Sequence, residues 1–397
     1  MIKFVIVNPY DFNLYMKPYS HPLRAISQLF YKIGSIQYMA DHGIEVIPLP
    51  NFIEDIILKY ELRDYNTCEK YYINYDTMDE KARKTFYACI SKLMKDIYTT
   101  NNYNNSVIYG IQPMGFDPFL RDKIEVGFPI SNYEILKSKN IKVIIYHDDL
   151  HGYPFIKNNR QMVDDHILLG TPINRSILQD IRCDRCDVLL SHAAPFFNHL
   201  KIYGNKTRLY FTPLDDIIYS MFTPETFYER KPKILLTGAI GGYPLRTAIY
   251  DQLNIKNPIA IKHYEWFDHP GKILELTSCK KGGLYSYYVK IAEYRAAVVG
   301  YYKKPLDHIL YKTFEILATG TLLFSQETVH LQNIGMKKYI HYVPLTEASI
   351  VDNAHLSKFM NTNVGKQIAK NGYNFVKSYM DNKKNMDYFI NIIKSFK

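Results

Sequence analysis

The chain has 397 residues, 47% of them apolar, and because single hydrophobic cores stop growing at about 250–300 residues, two domains are expected. Its formal net charge of +10 comes from scattered lysines and arginines rather than a basic stripe, which argues against a nucleic-acid partner and favours anionic ligands such as nucleotide phosphates. The five cysteines, an odd number, argue against a disulfide framework, and no stretch reaches the roughly 18 uncharged apolar residues of a membrane span.

The first half of the chain alternates apolar strands with helical segments. The opening strand, MIKFVIVN, is followed by a loop that contains three prolines. Strands are predicted at 1–8, 43–50, 107–111, 141–147 and 187–191. Helices are predicted at about 23–41 and within about 52–105, a stretch that ends in a polar loop, TTNNYNNS at 99–106. This alternation is typical of parallel βαβ packing.

A charged, proline-flanked segment, TPETFYERKPK at 223–233, interrupts the pattern and is predicted to be the linker between domains. Further strands are predicted at 234–238, 259–262, 296–301, 321–325 and 339–343, with final helices over about 365–396. We therefore predict a first domain over residues 1–225, a second over 226–380, and a C-terminal helix, 381–397, that crosses back to the first. Two such sheets place a cleft between the carboxyl ends of their strands, where doubly wound folds bind ligands.

In the first domain, YHDDLHG at 146–152 places two acids and two histidines directly after an apolar strand. His147, Asp149 and His151 fit three interpretations: metal ligands, contacts to a sugar or an acceptor, or a solvated loop. His192 follows the strand at 187–191 and fits either a cleft residue or a structural histidine.

The first turn of the second domain, TGAIGGYPLR at 237–246, is a candidate phosphate site. Gly238, Gly241 and Gly242 allow a ligand to approach the backbone, and the helix that begins near Pro244 offers free N–H groups. Arg246 lies in the first helical turn, where a cation opposes the helix dipole. A bound diphosphate would remove that conflict, whereas the alternative is a surface ion pair.

The segment KTFEILATGTLLFS at 312–325 starts as a helix and ends as an apolar strand, yet it contains Glu315. Asp307 lies eight residues earlier, roughly 12 Å away along a continuous helix. That span is close to the distance from the ribose of a nucleotide-sugar to its sugar ring. The alternatives are that Asp307 is an N-cap and that Glu315 is an exposed helical carboxylate.

The longer segment YVKIAEYRAAVVGYYKKPLDHILYKTFEILATGTLLFS resembles the donor-binding segment of the group 1 glycosyltransferases, particularly the spore-protein-like branch with its fEilatGt core. The resemblance extends through HPGK at 269–272, GYPLR at 242–246 and IAKNGYNFV at 368–376, and the first domain matches only in architecture. It implies the GT-B fold, in which two Rossmann-like α/β domains face a central cleft.

The resemblance also implies roles for individual residues. Enzymes of this family have a Glu-x7-Glu pair beside the donor, so Glu315 would hold the ribose hydroxyls and Asp307, an aspartate where the family has glutamate, would lie near the transferred sugar. The implied reaction moves a sugar from a nucleotide diphosphate, with UDP expected, to a hydroxyl on a glycan or protein, with retained configuration and no metal or other cofactor. The catalytic candidates are His147, Asp149, His151 and Asp307, and the substrate-binding candidates are Gly238, Gly241, Gly242, Arg246, Lys312, Thr313, Glu315 and His192.

Two other functions stay open: a nucleotide-sugar epimerase of the same fold, which needs no acceptor groove, and a non-catalytic nucleotide- or glycan-binding protein with a degenerate site. The abundance of Tyr, Lys, Ile and Asn is typical of an AT-rich genome, and a large DNA virus is the source we expect. The expected location is the cytoplasm, that of the host if the protein is viral.

Overall fold

A computed structural model of the chain describes residues 1–7, 33–47, 93, 95–111, 133–147, 186–195, 198, 204–211, 213–214, 216–238, 240, 242–267, 286–302 and 307–396. The chain divides into two compact units, one formed by Met1–Thr212 with Asn382–Lys397 and the other by Pro213–Asp381. Each unit is built on one parallel β-sheet with helices, which confirms the predicted α/β class.

The first unit has a six-stranded parallel sheet in the order β2-β1-β3-β4-β5-β6. Its elements along the chain are β1 (Ile2–Val7), α1 (Ile33–Asp41), β2 (Ile44–Ile47), β3 (Val107–Ile111), α2 (Tyr133–Ser138), β4 (Lys142–His147), β5 (Val188–Ser191) and β6 (Thr207–Leu209). Five of these strands were predicted from their apolar runs. In the stretch predicted as helical over about 52–105, the described residues 93 and 95–99 are helical, and 100–106 are non-helical, as expected for the predicted loop.

The second unit has a five-stranded parallel sheet in the order β11-β10-β9-β7-β8. Its elements are α3 (Asp216–Met221), a 3-10 helix (Pro224–Glu229), β7 (Lys231–Thr237), α4 (Pro244–Asn254), α5 (Pro258–His263), β8 (Tyr264–Phe267), α6 (Ser286–Ala292), β9 (Tyr294–Val299), α7 (Lys312–Ala318), β10 (Leu322–Ser325), α8 (Val329–Asn333), β11 (Val343–Pro344), α9 (Asn353–Met360) and α10 (Asn363–Tyr379). The last helix of the chain, α11 (Asn382–Lys394), belongs to the first unit.

Helix α11 completes the core of the first unit. Its apolar face carries Phe389 and Ile393, both fully buried, into the same cluster as Phe4 of β1 and Tyr109 of β3. The ring of Phe389 meets that of Tyr109 edge-on, with their centroids 5.5 Å apart. The strands alone would leave this face of the sheet in water, so burial against α11 supplies part of the hydrophobic stabilisation of the unit.

The structure corrects the prediction of a strand at 259–262, because these residues belong to helix α5. The Asn257 side chain accepts hydrogen bonds from the N–H groups of Ile259 and Ala260, and Pro258 occupies the first helical turn. This cap and proline form a helix start signal that outweighs the β-branched composition of IAIK. The strand follows at once, as β8.

The predicted linker at 223–233 is also folded. The hydroxyl of Thr223 caps the 3-10 helix by accepting a hydrogen bond from the N–H of Glu225, and β7 begins at Lys231. The strand predicted at 339–343 is shorter than expected and consists of Val343 and Pro344. Within the described ranges no helix is both long and apolar enough to cross a membrane.

Candidate functional site

The turn after β7 brings two cationic side chains together. Gly238 has a φ of +99°, a conformation that favours glycine. A Cβ atom at this position would lie 2.5 Å from Nζ of Lys312 and 3.3 Å from Nη1 of Arg246. Because Gly238 has no side chain, the Lys312 ammonium and the Arg246 guanidinium can approach the backbone at the carboxyl edge of the sheet.

Lys312 is the first residue of α7 and is held in place by the sheet. Its Nζ donates a 2.9 Å hydrogen bond to the carbonyl oxygen of Thr237, the last residue of β7. It also lies 5.8 Å from the centroid of the Tyr287 ring. An ammonium group has three donors, and Thr237 accepts from one of them.

Arg246 lies in the first turn of α4 and is 3% exposed, so the surface ion pair considered from the sequence is wrong. Its guanidinium carbon lies 4.0 Å from the centroid of the Tyr243 ring, a cation–π geometry. Burial lowers the pKa of Arg246. A Cβ on Gly300 would be 3.3 Å from Cγ of Arg246, which shows how closely the end of β9 approaches α4.

Glu315 is fully buried, so the alternative of an exposed helical carboxylate is wrong. It lies one turn after Lys312 on α7, where Phe314 and Ile316 are buried on either side of it. The hydroxyl of Tyr288, on α6, donates to Oε1 of Glu315 at 3.3 Å. Removing a carboxylate from water is unfavourable, and a folded chain retains one only where hydrogen bonds or charges offset that loss.

Asp307 is 6% exposed and precedes α7 by five residues. The hydroxyl of Thr328 donates to its Oδ2 at 2.9 Å, and Nε2 of His330 lies 3.7 Å from its Oδ1. Because α7 begins only at Lys312, Asp307 is not its N-cap and does not share a continuous helix with Glu315. The estimate of their separation along one helix axis was therefore wrong.

The other predicted site residues lie elsewhere in the two units or outside the described residues. Gly242 has a φ of +88° and is exposed, and Thr313 is fully buried with its hydroxyl 3.0 Å from that of Tyr301. Gly241, Asp149 and His151 lie outside the described residues, and His147 is described as the last residue of β4. His192, in the first unit, is 4% exposed and its ring stacks on Phe211 at 6.2 Å between centroids.

Four residues around the site were not singled out from the sequence: Tyr288, Tyr301, Thr328 and His330. Each lies 12 to 27 positions along the chain from the predicted site residue that it contacts. The described residues contain no group of three or more His, Cys, Asp or Glu side chains that could hold a metal ion.

No protein-family model and no curated protein matches this chain. Among solved structures, an alpha-glucosyltransferase in complex with UDP-glucose and DNA containing an abasic site is similar over 99% of both chains, with a TM-score of 0.52 and 12% identity. HepE of Anabaena, in complex with UDP and glucose, matches over 100% of both chains with a TM-score of 0.48 and 10% identity. A glycosyltransferase from Rickettsia africae ESF-5 covers 100% of this chain and 98% of its own, with a TM-score of 0.47 and 10% identity. At these identities the likeness concerns the fold alone, and it confirms the predicted GT-B class.

Proposed function

We propose that this protein is a glycosyltransferase that moves a sugar from a nucleotide diphosphate donor, UDP being the expected nucleotide, to a hydroxyl group on a glycan or protein. The observation that carries the proposal is the convergence of Lys312 and Arg246 on the Gly238 turn. Two cations beside a glycine turn and the start of α4 form a site suited to a diphosphate.

In this proposal the diphosphate lies on the Gly238 turn. Bond breaking places negative charge on the leaving diphosphate, and Lys312, Arg246 and the backbone N–H groups of α4 stabilise that charge. Both cations are already fixed, Lys312 by the Thr237 carbonyl and Arg246 by the Tyr243 ring. Such preorganisation reduces the rearrangement needed when charge develops, so a metal ion is not required for this role.

The nucleoside end of the donor is assigned to Glu315. An ionised carboxylate only accepts hydrogen bonds, and the ribose of a nucleotide offers two hydroxyl donors. The Tyr288 hydroxyl donates to this carboxylate from the side of α6 and so fixes its orientation. The proposed role of Asp307 is a contact to the transferred sugar, with Thr328 and His330 fixing its orientation.

The solved α-glucosyltransferase of similar fold is a complex with UDP-glucose, which supports UDP as the first nucleotide to test. Several features stay predictions from the sequence. They are the acceptor, the retention of configuration, the division into domains, and a viral source with a cytoplasmic location. The acceptor-side roles of four residues also stay predictions: His147, Asp149, His151 and His192.

Calorimetric titration with UDP, GDP and ADP tests the proposal directly. Wild-type protein should bind UDP, and Lys312→Met should bind it at least about tenfold more weakly, a loss of about 1.4 kcal/mol. Lys338→Met is the matched control, because Lys338 is an exposed lysine of the same unit paired with Glu327. Absence of binding by every nucleotide diphosphate, or equal affinities in wild type and Lys312→Met, would contradict the proposal.

Turnover separates the proposed reaction from its rivals. Transfer from a UDP-sugar to an added glycan or peptide, unaffected by a metal chelator, is the expected result. Release of a 2-epimer without an acceptor would identify an epimerase, and tight nucleotide binding without turnover would identify a binding protein. Loss of activity in chelator that Mn²⁺ or Mg²⁺ restores would overturn the metal-independent mechanism.

A further inference from the structure

A chain of hydroxyl groups runs beneath the first turn of α7. Tyr301, two residues after β9, is fully buried. Its hydroxyl lies 3.0 Å from that of Thr313 on α7 and 3.1 Å from that of Ser325 at the end of β10. The hydroxyl of Ser325 donates to the carbonyl oxygen of Gln326 at 2.9 Å.

The direction of every hydrogen bond in this chain follows from its last member. A carbonyl only accepts, so Ser325 uses its single hydrogen on Gln326 and accepts from Tyr301. Tyr301 then has no hydrogen left for Thr313 and accepts from it. Burial raises the pKa of the Tyr301 phenol, which keeps its hydrogen in place.

Tyr301 is itself held firmly by the sheet. Its backbone N–H donates to Oε1 of Gln326 at 3.1 Å, and the N–H of Gln326 donates to the carbonyl of Val299 at 3.1 Å. The phenol therefore extends from a fixed point where β9 and β10 end, and its hydroxyl reaches α7 through Thr313.

Helix α7 depends on such contacts for its position. It is seven residues long, too short to be stable alone, and its N-cap Tyr311 makes no side-chain capping bond. Three residues of its start are instead bound to three different elements: Lys312 to β7, Thr313 to Tyr301, and Glu315 to Tyr288 of α6. Thr313 lies between the two residues that the proposed function assigns to the nucleotide.

We infer that Tyr301 is a positioning residue of this nucleotide site, one that orients Lys312 and Glu315 through the hydroxyl of Thr313. The inference rests on the proposed function, since it concerns the same ligand. It also changes the role of Thr313: its hydroxyl points into the unit toward Tyr301, so it serves to place α7 and does not bind the substrate.

The test is the substitution Tyr301→Phe, which keeps the buried ring and removes only the hydroxyl. We expect UDP affinity in calorimetric titration to fall about five- to tenfold, because ionic contacts are sensitive to displacements of a fraction of an ångström. Tyr264→Phe is the matched control: Tyr264 is a buried tyrosine of the same sheet whose hydroxyl has no hydrogen-bond partner among the described residues. Its UDP affinity should stay within about twofold of wild type.

A double-mutant cycle separates positioning from general destabilisation. If Tyr301 orients both Lys312 and Glu315, Tyr301→Phe should lower UDP affinity by a smaller factor in a Lys312→Met background than in wild type, because only the contribution through Glu315 remains. If Tyr301→Phe does not fold, Thr313→Val replaces it, because it removes the hydroxyl through which Tyr301 contacts α7, at nearly constant side-chain volume, and should also lower UDP affinity.

The outcomes distinguish the two proposals. Suppose that wild type binds UDP tightly and that Tyr301→Phe, or Thr313→Val where that variant is used, binds it equally well. That result would overturn the positioning role and leave the proposed function intact. Fully additive effects of Tyr301→Phe and Lys312→Met would overturn it as well. Failure of wild type to bind any nucleotide diphosphate would overturn both.

Discussion

Glu315→Gln is the substitution that separates a ligand-binding carboxylate from a structural one. Glutamine keeps the shape of the side chain, and its carbonyl oxygen can still accept the hydrogen bond from Tyr288. What it loses is the negative charge, and with it the charge-assisted part of the bonds to the ribose hydroxyls. That loss should weaken UDP binding by about 1–3 kcal/mol, or roughly 5- to 150-fold in affinity.

The stability of the unliganded protein should change little. Glutamine keeps the buried shape and the hydrogen bond from Tyr288, so the folded state keeps its packing. The free energy of unfolding of Glu315→Gln should therefore stay within about 0.5 kcal/mol of wild type in urea titrations. A carboxylate retained only for structure would give a lower free energy of unfolding with UDP affinity unchanged.

The matched control is Glu293→Gln, which removes a half-buried carboxylate of the same unit that pairs with Lys231 and Lys290. Exposed ion pairs contribute little, so its stability and UDP affinity should stay within about 0.5 kcal/mol of wild type. Equal UDP affinities in wild type and Glu315→Gln would refute the assignment of Glu315 to the nucleotide.

Three further substitutions test other parts of the second unit. Gly238→Ala should lower UDP affinity, because its Cβ displaces Lys312, and should lower the free energy of unfolding by about 1 kcal/mol. Gly43→Ala is the control: Gly43 has a φ of +79° and open space around it, so this substitution should lower stability alone. Asp307→Asn should lower kcat while the Kd for UDP stays within about twofold, and equal kcat would argue against a sugar contact. Burial lowers the pKa of His341, so the folded state favours the neutral imidazole. The contribution of His341 to the stability of the fold is therefore complete above about pH 6.5 and is lost as pH falls below it. His341→Gln should therefore show a shallower fall in unfolding free energy from about pH 7 to about pH 5 in urea titrations.

The strands were predictable where apolar runs are bounded by turn residues. The sequence KVIIYH forms β4 and VLLS forms β5, each nearly continuous in buried side chains, as parallel strands are. The exception, at 259–262, shows the limit of composition. A segment of four residues with two isoleucines fits a helix as well as a strand, and the Asn257–Pro258 start signal decides between them.

The site was predictable only in part, for a physical reason. The glycine turn and Glu315 are local features of single segments, which a sequence displays directly. The partners of these residues are separated from them in sequence: Tyr288 lies 27 positions from Glu315, and Thr328 lies 21 from Asp307. Such pairs are created by the order of strands in the sheet, and no local pattern in the chain encodes them.

The chemistry of the site also restricts its ligand. Lys312 and Arg246 only donate hydrogen bonds, whereas Glu315 only accepts them, and Lys312 and Glu315 are separated by a rise of about 4.5 Å along α7. Inorganic pyrophosphate would bind the two cations but would bring no hydrogen-bond donor to the carboxylate of Glu315. A free sugar would supply donors to Glu315 but would bring no phosphate to the cations. A nucleoside diphosphate carries hydroxyl donors at one end and phosphate acceptors at the other, so the proposed function assigns one molecule to both halves of the site.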